Sequence, residues 1–325
     1  MIPAGVGQAK STRSATSLTS MSDYHIPVML SEVLDNLDIQ KGLWYVDCNL
    51  GGGGHTEGIL SRGGKVLGID LDEDAIQEVA RNHKLEVGGE RGGLRAVSEN
   101  LILAQSNFSA VKRLVGEFSL DSIAGVLFDL GVSSYQLEKA DRGFSFNTDA
   151  PLDMRMNQGI ESATAADLVN GLHEKELTEL FLKLGEENFA RPIAKRIVEK
   201  RKLQKIETTN QLANIVLSVR HRTASDRTHP ATRVFQALRI AVNDELNSLK
   251  DALPEALSAL SANGRLVVIS FHSLEDRIVK VFMNEEEEKK TIKILTPKPL
   301  EPTDNEVTVN PRSRSGKLRI AQKII

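Results

Sequence analysis

Acidic residues and a run of glycines carry the chemistry that the sequence suggests. The apolar segment Leu43–Val46 ends in Asp47, and the glycines Gly51–Gly54 follow a few residues later. Glycine has no Cβ, so its backbone can take positive φ and a ligand can approach it closely. A strand, a glycine-rich turn and a helix start form the part of an α/β fold that receives nucleotide-like ligands. This segment therefore predicts a nucleotide-cofactor site.

The glycine run differs from the loops that bind phosphates. The dinucleotide fingerprint Gly-x-Gly-x-x-Gly would need its third glycine where this chain has Thr56, and no Lys-Ser/Thr pair follows. Lys65–Asp70 reads as a second strand that ends in an acid, and a carboxylate there suits hydrogen bonds to ribose hydroxyls. These features favour S-adenosylmethionine over a dinucleotide. The alternative is a flexible turn with Asp70 as a solvated strand end.

A third acid, Asp129, follows the apolar run Ile123–Phe128. Such a run is typical of a strand buried on both faces, and open α/β sheets bind ligands at the carboxyl ends of their strands. Many amino-group methyltransferases have Asp/Asn-Pro-Pro-Tyr/Phe here, whereas this chain continues as Leu-Gly-Val. A stacking aromatic residue must therefore lie elsewhere or be missing. A role for Asp129 as a simple strand cap stays open.

A series of short blocks, in order along the chain, resembles the bacterial 16S ribosomal RNA cytosine-N4 methyltransferases. The blocks are Tyr24–Leu30, Gly51–His55, Phe128–Ser134, Arg142–Phe146, Pro151–Met156, Gly185–Glu187, His229–Arg233, Phe235–Ile240, Ser270–Arg277 and Asn310–Ser315. The resemblance implies a Rossmann-like class I methyltransferase fold with S-adenosylmethionine as cofactor. It also implies a cytoplasmic enzyme that methylates the exocyclic N4 of a decoding-region cytidine in 16S rRNA of the small ribosomal subunit.

The resemblance also implies the residues of the cofactor pocket. They are Gly53, Gly54 and His55 beside the methionine part, Asp70 on the ribose, Phe108 beside the adenine, and Asp129 and Gln136 completing the pocket. One departure is Cys48-Asn49, where family members often have a small residue followed by Thr. This departure bears on cofactor affinity but leaves the glycines and His55 in place.

The elements that position these residues alternate between strand and helix from Leu43 to about Leu137, which indicates a parallel sheet. The chain is then mainly helical, and sheet character returns at Gly264–Ser270 and Lys317–Ile320. We predict a discontinuous methyltransferase domain, residues 23–138 and 229–325, with a helical insertion at 139–228 that recognises the RNA substrate. Residues 1–22, rich in Ser and Thr, are predicted to be a disordered extension.

The composition fits a globular protein in a reducing compartment. Hydrophobic residues make up 40% of the chain and charged residues 26%, which are ordinary values for globular domains. The single cysteine, Cys48, excludes an intramolecular disulfide framework. No apolar run is long enough to span a membrane. The sequence leaves a homodimer open.

Basic residues are clustered, although the formal net charge is -3. They outnumber acidic residues between Arg191 and Arg233, and the segment from Val307 to the C-terminus has no acid. Such clusters can neutralise RNA phosphates, although part of the first cluster could be an ordinary solvated helix face. The predicted RNA contacts are Arg155, Arg233, Arg312 and Arg314.

Asp129 is the predicted catalytic residue. The N4 amine of cytosine is a poor nucleophile because its lone pair is delocalised into the ring. A carboxylate that accepts hydrogen bonds from the amine protons favours a pyramidal nitrogen, and positioning and electrostatics can supply most of the rate. A base splayed out of the RNA needs a second surface, for which Phe144, Phe146 and Arg155 are candidates. For each of these three, packing within the insertion is an equal alternative.

Two other functions stay open. An N-methyltransferase acting on DNA or another RNA would have the same pocket, and a ribosome-assembly factor would bind the cofactor without turnover. A nicotinamide dehydrogenase is disfavoured by the missing fingerprint. A Ser-His hydrolase lacks Gly-x-Ser-x-Gly around Ser273. The histidines show no metal-ligand spacing, so no metal is predicted.

Overall fold

The computed structural model describes residues 27–324 except positions 91, 92, 134, 135, 138, 160, 224, 225 and 227. The predicted disordered extension at residues 1–22 lies outside the described residues, as does the start of the block Tyr24–Leu30. Within the described part of the chain, no helix combines the length and apolar character that crossing a membrane requires.

Eight strands of the described chain form one sheet. They are β1 (Trp44–Asp47), β2 (Lys65–Asp70), β3 (Arg95–Val97), β4 (Leu101–Gln105), β5 (Ile123–Asp129), β6 (Leu260–Ser270), β7 (Ile292–Ile294) and β8 (Lys317–Lys323). Their order across the sheet is β3-β4-β2-β1-β5-β6-β8-β7. Strands β4, β2, β1, β5 and β6 are parallel, whereas the pairs β3–β4, β6–β8 and β7–β8 are antiparallel.

The strand order reverses at β1, which lies between β2 and β5. The chain moves outward from β1 through β2 to β4 and then returns to β5 on the other side. Such a reversal opens a crevice at the carboxyl ends of the strands, where ligands bind. Asp47, Asp70 and Asp129 are the last residues of β1, β2 and β5. The topology therefore brings the three acids of the sequence analysis to one edge of the sheet.

Helices cover both faces of this sheet. One face packs against the helices Val111–Glu117, Glu245–Ala259 and Ser273–Glu288, and the other against Leu30–Leu37, Gly54–Ser61 and Glu73–Asn82. Successive strand residues alternate between the two layers, so Val126 and Phe128 lie in one core and Leu127 in the other. Burial on both faces explains why β5 is apolar along most of its length.

A third apolar cluster belongs to the helical part of the chain. Its helices are Ala165–Gly171, Glu174–Gly185, Ala190–Arg201 and Thr209–Val219. The helix Thr232–Asn243 also contributes Val234, Phe235 and Leu238 to this cluster, although it follows the predicted insertion. The domain limits 139–228 stay a prediction. The doubly covered, mainly parallel sheet confirms the predicted α/β fold class.

Candidate active site

A cavity of about 290 Å³ opens at the carboxyl ends of β1, β2 and β5. It lies where the strand order reverses, as expected for this topology. Most of the predicted cofactor residues line it: Gly54, His55, Asp70, Phe108, Asp129 and Gln136. Gly53 belongs to the same turn but does not line the cavity.

Asp47 holds the glycine turn in place. Its carboxylate is fully buried and accepts hydrogen bonds from the Thr56 hydroxyl at 2.8 Å and the Asn49 amide at 3.3 Å. Burial raises the pKa of Asp47, although the charge of His55 and the two hydrogen bonds act to lower it. The sequence analysis noted Asp47 only as a strand end, and its role in fixing the turn was missed.

Two positions of the turn require glycine for specific structural reasons. Gly53 has a φ of +79° and directly precedes the helix Gly54–Ser61, a conformation that L-residues rarely adopt. At Gly54, an added Cβ would lie 2.9 Å from Cγ of Pro27. The chain entering the first helix therefore packs directly on the turn, and Pro27 also lines the cavity. A side chain at position 54 would push this wall away.

Asp70 is held by two backbone amides. Its Oδ2 accepts the Gly51 N–H and its Oδ1 accepts the Asp72 N–H, both at 2.8 Å. Burial raises the pKa of Asp70 to about 7, and the charge of Asp72 adds to this effect, while the two amide hydrogen bonds oppose it. Each carboxylate oxygen has a second lone pair, so Asp70 can still accept hydrogen bonds from the hydroxyl groups of a ligand in the cavity.

His55 and Asp129 form a buried pair on the opposite side of the turn. His55 Nε2 lies 3.3 Å from Asp129 Oδ2. Burial acts to lower the pKa of His55, but contact with Asp129 and the negative charges of Asp129, Asp47 and Glu306 outweigh it, so the pKa is raised. The other oxygen, Asp129 Oδ1, is buried and accepts no hydrogen bond from the residues that the structure describes.

Gln136 is fixed by a buried network. Its Nε2 donates to Asp72 Oδ2 at 2.7 Å, and its Oε1 accepts the Ser133 N–H at 3.0 Å. Arg142 pairs with the same Asp72 at 3.1 Å and donates to the Met156 carbonyl at 2.7 Å. This network links the pocket to the helical region. The role of Asp72 was missed from the sequence. Its position directly before a predicted helix, as an N-cap, was the one feature that could have indicated it.

Phe108 closes the side of the cavity beyond β4. It begins a short 3-10 helix, Phe108–Ala110, capped by the Asn107 side chain, which accepts the Ser109 N–H at 2.8 Å. Its ring meets Phe128 edge-to-face, with centroids 5.7 Å apart. This contact holds the aromatic face that the sequence analysis predicted beside an adenine. That role stays a prediction.

The predicted RNA-contacting arginines differ in how they are held. Arg155 makes a bidentate ion pair with Asp153, at 2.8 and 2.9 Å. Arg233 is exposed and donates to the Glu186 carbonyl at 2.8 Å. Arg312 and Arg314 lie exposed on the 3-10 helix Pro311–Ser315, and Arg312 also lines the cavity. Of the four predicted contacts, Arg312 is therefore the one that the structure places at the cavity.

The two aromatic candidates for base stacking pack within the helical region. Phe144 is buried, and the Phe146 ring lies 4.6 Å from His229 and 4.9 Å from Phe235, measured between centroids. These contacts favour the packing alternative over a base-stacking surface for both residues.

Glu245, His272 and Glu275 form the one cluster of potential metal ligands within the described residues. His272 caps the helix Ser273–Glu288 by accepting the Glu275 N–H at its Nδ1, and its Nε2 lies 3.1 Å from Glu275 Oε1. Glu245 forms a bidentate ion pair with Arg239, with both contacts at 2.8 Å. Each of the three residues thus already has a partner: His272 and Glu275 contact each other, and Glu245 contacts Arg239. The prediction that no metal binds stays a prediction.

Comparison with known proteins shows what this chain is similar to. A model described as the MraW methylase family matches residues 22–324. Ribosomal RNA small subunit methyltransferase H of Clostridium botulinum (strain Loch Maree / Type A3) is 44% identical over 318 residues, 92% of this chain and 99% of that protein. The protein of the same name from Carboxydothermus hydrogenoformans is 43% identical, over 92% of this chain and 98% of that protein.

A solved structure of a putative methyltransferase from Streptococcus mutans in complex with SAH is a more distant match. It has a TM-score of 0.40 and 13% identity over 92% of this chain and 100% of that one. The family model and the two relatives cover nearly the whole chain. They show that the chain belongs to the MraW methylase family, and they confirm the prediction of an S-adenosylmethionine-dependent methyltransferase.

Proposed function

We propose that this enzyme transfers a methyl group from S-adenosylmethionine to the exocyclic N4 of a decoding-region cytidine in 16S rRNA. The observation that carries this proposal is the buried His55–Asp129 pair at the end of β5, with Asp129 Oδ1 left without a partner among the described residues. An acceptor held in this way suits an amine substrate. The names of the relatives support small-subunit rRNA as the molecule that carries that amine.

The residues around the cavity fit S-adenosylmethionine. Asp70 can accept hydrogen bonds from the ribose hydroxyls, the Phe108 ring can flank the adenine, and Gly54 and His55 of the turn line the same cavity. Gln136 lines the same wall. The bound cofactor supplies a methyl group activated by a sulfonium sulfur, which leaves as a neutral thioether.

Asp129 performs the main task that this chain contributes to the transfer. Its Oδ1 accepts an N–H from the cytosine amine, which turns the nitrogen lone pair out of the ring and towards the methyl carbon. The nitrogen forms one new C–N bond, becomes positively charged and then loses one proton. Asp129 can receive that proton and pass it to solvent.

His55 keeps Asp129 ready for this task. A protonated imidazole places its charge 3.3 Å from Asp129 Oδ2, and this attraction holds the carboxylate in one orientation. The raised pKa of His55 favours that protonated state. His55 is therefore proposed as a positioning residue for the acceptor.

The substrate RNA is proposed to approach across the exposed arginines of the short helix Pro311–Ser315. Arg312 lines the cavity and Arg314 lies on the same short helix. Their charges can neutralise phosphates beside the target nucleotide, and Arg233 is a more distant candidate. A ribosomal substrate also implies a cytoplasmic enzyme that works on the small subunit or its precursor.

The test uses labelled S-adenosylmethionine, the purified enzyme and unmethylated small ribosomal subunits, followed by nucleoside analysis. We expect labelled N4-methylcytidine from the wild type and none from Asp70→Ala at low cofactor concentration. Naked DNA as substrate tests the alternative of a DNA methyltransferase. Tight binding of S-adenosylhomocysteine without any labelled nucleoside would overturn the proposal and favour an assembly factor.

A further inference from the structure

We infer that Asn49 is a second acceptor for the target amine, paired with Asp129, and that it limits the product to one methyl group. This inference rests on the proposed function, because it assigns Asn49 to the same amine. Asn49 follows the end of β1, next to the strand that ends in Asp129.

The sheet register places Asn49 beside Asp129. Asp47, the last residue of β1, pairs with Leu127 of β5, and Asn49 and Asp129 each come two residues later along the chain. The Cys48 N–H donates to the Leu127 carbonyl at 2.9 Å, which holds the chain beside β5 as it leaves β1. Both residues line the same cavity. The two side chains therefore start from neighbouring positions at the point where the strand order reverses.

Both side chains have an unused buried acceptor. Asn49 Oδ1 and Asp129 Oδ1 are each buried, and neither accepts a hydrogen bond within the part of the chain that the structure describes. A buried acceptor without a partner destabilises the fold, so two beside one cavity indicate a ligand that donates. The backbone N–H of Asn49 is already used, because it donates to Asp47.

A cytosine amine matches this pair of acceptors because it carries two N–H groups. One proton can be held by Asp129 Oδ1 and the other by Asn49 Oδ1. Two acceptors orient the lone pair better than one, because they fix rotation about the bond between the ring and the nitrogen. During the reaction the nitrogen forms one C–N bond and loses one of its two protons.

The pair also accounts for a single methylation. A monomethylated amine has one N–H left, so a second transfer would need the first methyl group to lie against one of the two acceptors. Leaving a buried acceptor facing a methyl group removes its hydrogen bond. Asn49 therefore disfavours a second turnover on the same nitrogen.

A competing role is contact with the cofactor. Asn49 also borders a smaller cavity of about 30 Å³, which Phe108 and Asn107 line as well. An acceptor that served the adenine from there would change cofactor affinity and leave the chemical step intact. The rate and the cofactor affinity of Asn49 variants separate these roles.

The test compares Asn49→Leu, which keeps the branched side-chain skeleton without the acceptor, with Asn49→Asp, which keeps an acceptor oxygen. We expect the single-turnover rate of Asn49→Leu at saturating cofactor to fall about 10- to 100-fold, as for loss of one oriented hydrogen-bonding group. The Kd for S-adenosylhomocysteine, measured by calorimetry, should stay within about threefold. Asn49→Asp should recover most of the rate and add an alkaline-rising limb to its pH profile, because two neighbouring carboxylates raise one pKa.

The control is Asn82→Leu, an exposed asparagine at the end of the helix Glu73–Asn82, far from the cavity mouth. It should match the wild type in both measurements. An unchanged rate in Asn49→Leu, or a tenfold weaker Kd with an unchanged rate, would overturn the assignment. If the wild type itself makes no N4-methylcytidine, the proposed function fails first, so the two failures are distinguishable.

Product analysis tests the limit on methylation. Asn49→Ala opens space beside the amine, and we expect N4,N4-dimethylcytidine to appear on prolonged incubation with excess cofactor. A change that only loosened the fold would lower the yield without adding this product. Monomethylated product alone, at the wild-type ratio, would overturn the role of Asn49 in product choice.

Discussion

The ends of β2 and β5 present the same residue type in two different states. Asp70 has both carboxylate oxygens bound by backbone amides, whereas Asp129 has one oxygen beside His55 and the other without a partner among the described residues. The first arrangement keeps a carboxylate in one position before a ligand arrives. The second leaves an acceptor for a group that comes from outside. Two aspartates at equivalent strand ends are thus suited to holding and to chemistry, respectively.

The largest expected effect is at Asp129. Replacing it by Ala removes the acceptor, and we expect the single-turnover rate to fall about 10²- to 10³-fold, with the Kd for S-adenosylhomocysteine within a few-fold of wild type. Asp129→Asn keeps one acceptor oxygen but cannot take a proton, so its rate should lie between those of the wild type and Asp129→Ala. Rapid-quench measurement with small subunits gives the rates.

The control variant changes an aspartate at the other end of the same strand, β5. Asp121 is exposed near the opposite, amino end of β5, and Asp121→Asn should leave both quantities unchanged. If Asp129→Ala instead weakened cofactor binding and kept its rate at saturation, Asp129 would be a cofactor-binding residue like Asp70. The proposed difference in role between the two aspartates would then be wrong.

Asp70 should show the opposite pattern. Asp70→Asn removes a charged acceptor, so we expect the Kd for S-adenosylhomocysteine to weaken about 10- to 100-fold, the equivalent of about 1.5–3 kcal/mol for a hydrogen bond to a charged group. The rate at saturating cofactor should change much less. Calorimetric titration gives the affinity, and a variant with normal affinity would contradict the ribose role.

Asp70 and Asp129 also show what the sequence could and could not predict. An apolar run followed by an acid was enough to predict strands β1, β2 and β5 and their shared edge, because parallel strands place their carboxyl ends together. The partners of those acids could not be read in this way. Asp72 and Arg142 are far apart in sequence, and their contact depends on how the chain after β5 returns to the pocket.

The helical region shows the same limit. Its helices follow from apolar periodicity, but the packing of Thr232–Asn243 with them depends on contacts between distant segments. Similarly, Phe146 looked equally suited to a base or to packing until its contacts with His229 and Phe235 were known. Residue type predicts the roles that a side chain can have, whereas its burial and contacts decide which role it takes.

Acid should weaken cofactor binding through Asp70. The pKa of Asp70 is raised to about 7 by burial, with Asp72 adding to the shift. Below that pH a protonated Asp70 loses an acceptor, so the Kd for S-adenosylhomocysteine should weaken by up to about tenfold per pH unit. Asp70→Asn has no proton to gain, and its affinity should be nearly constant from pH 5.5 to 8, as calorimetry can check; a parallel loss in both proteins would assign the effect elsewhere.

The same pKa predicts a change in stability. Between the ordinary pKa of 3.8 and about 7 the folded state binds more protons at Asp70 than the unfolded chain does. The free energy of unfolding should therefore be greatest, for this group, at low pH and fall as the pH rises through about 7. Urea unfolding at several pH values should show this fall in the wild type and a smaller one in Asp70→Asn.

The smallest expected effect lies outside both carboxylates, at Arg314. Removing one phosphate contact should lower the salt dependence of RNA-substrate binding by about one unit of log–log slope and weaken binding a few-fold. Arg314→Gln should do this without changing the Kd for S-adenosylhomocysteine, because Arg314 is exposed on Pro311–Ser315 and does not line the cavity. Arg113→Gln is the matched control, since Arg113 is exposed but already paired with Glu117 at 2.8 Å. Equal slopes for the two variants would move the RNA path away from this short helix, and would leave the division of roles between Asp70 and Asp129 untouched.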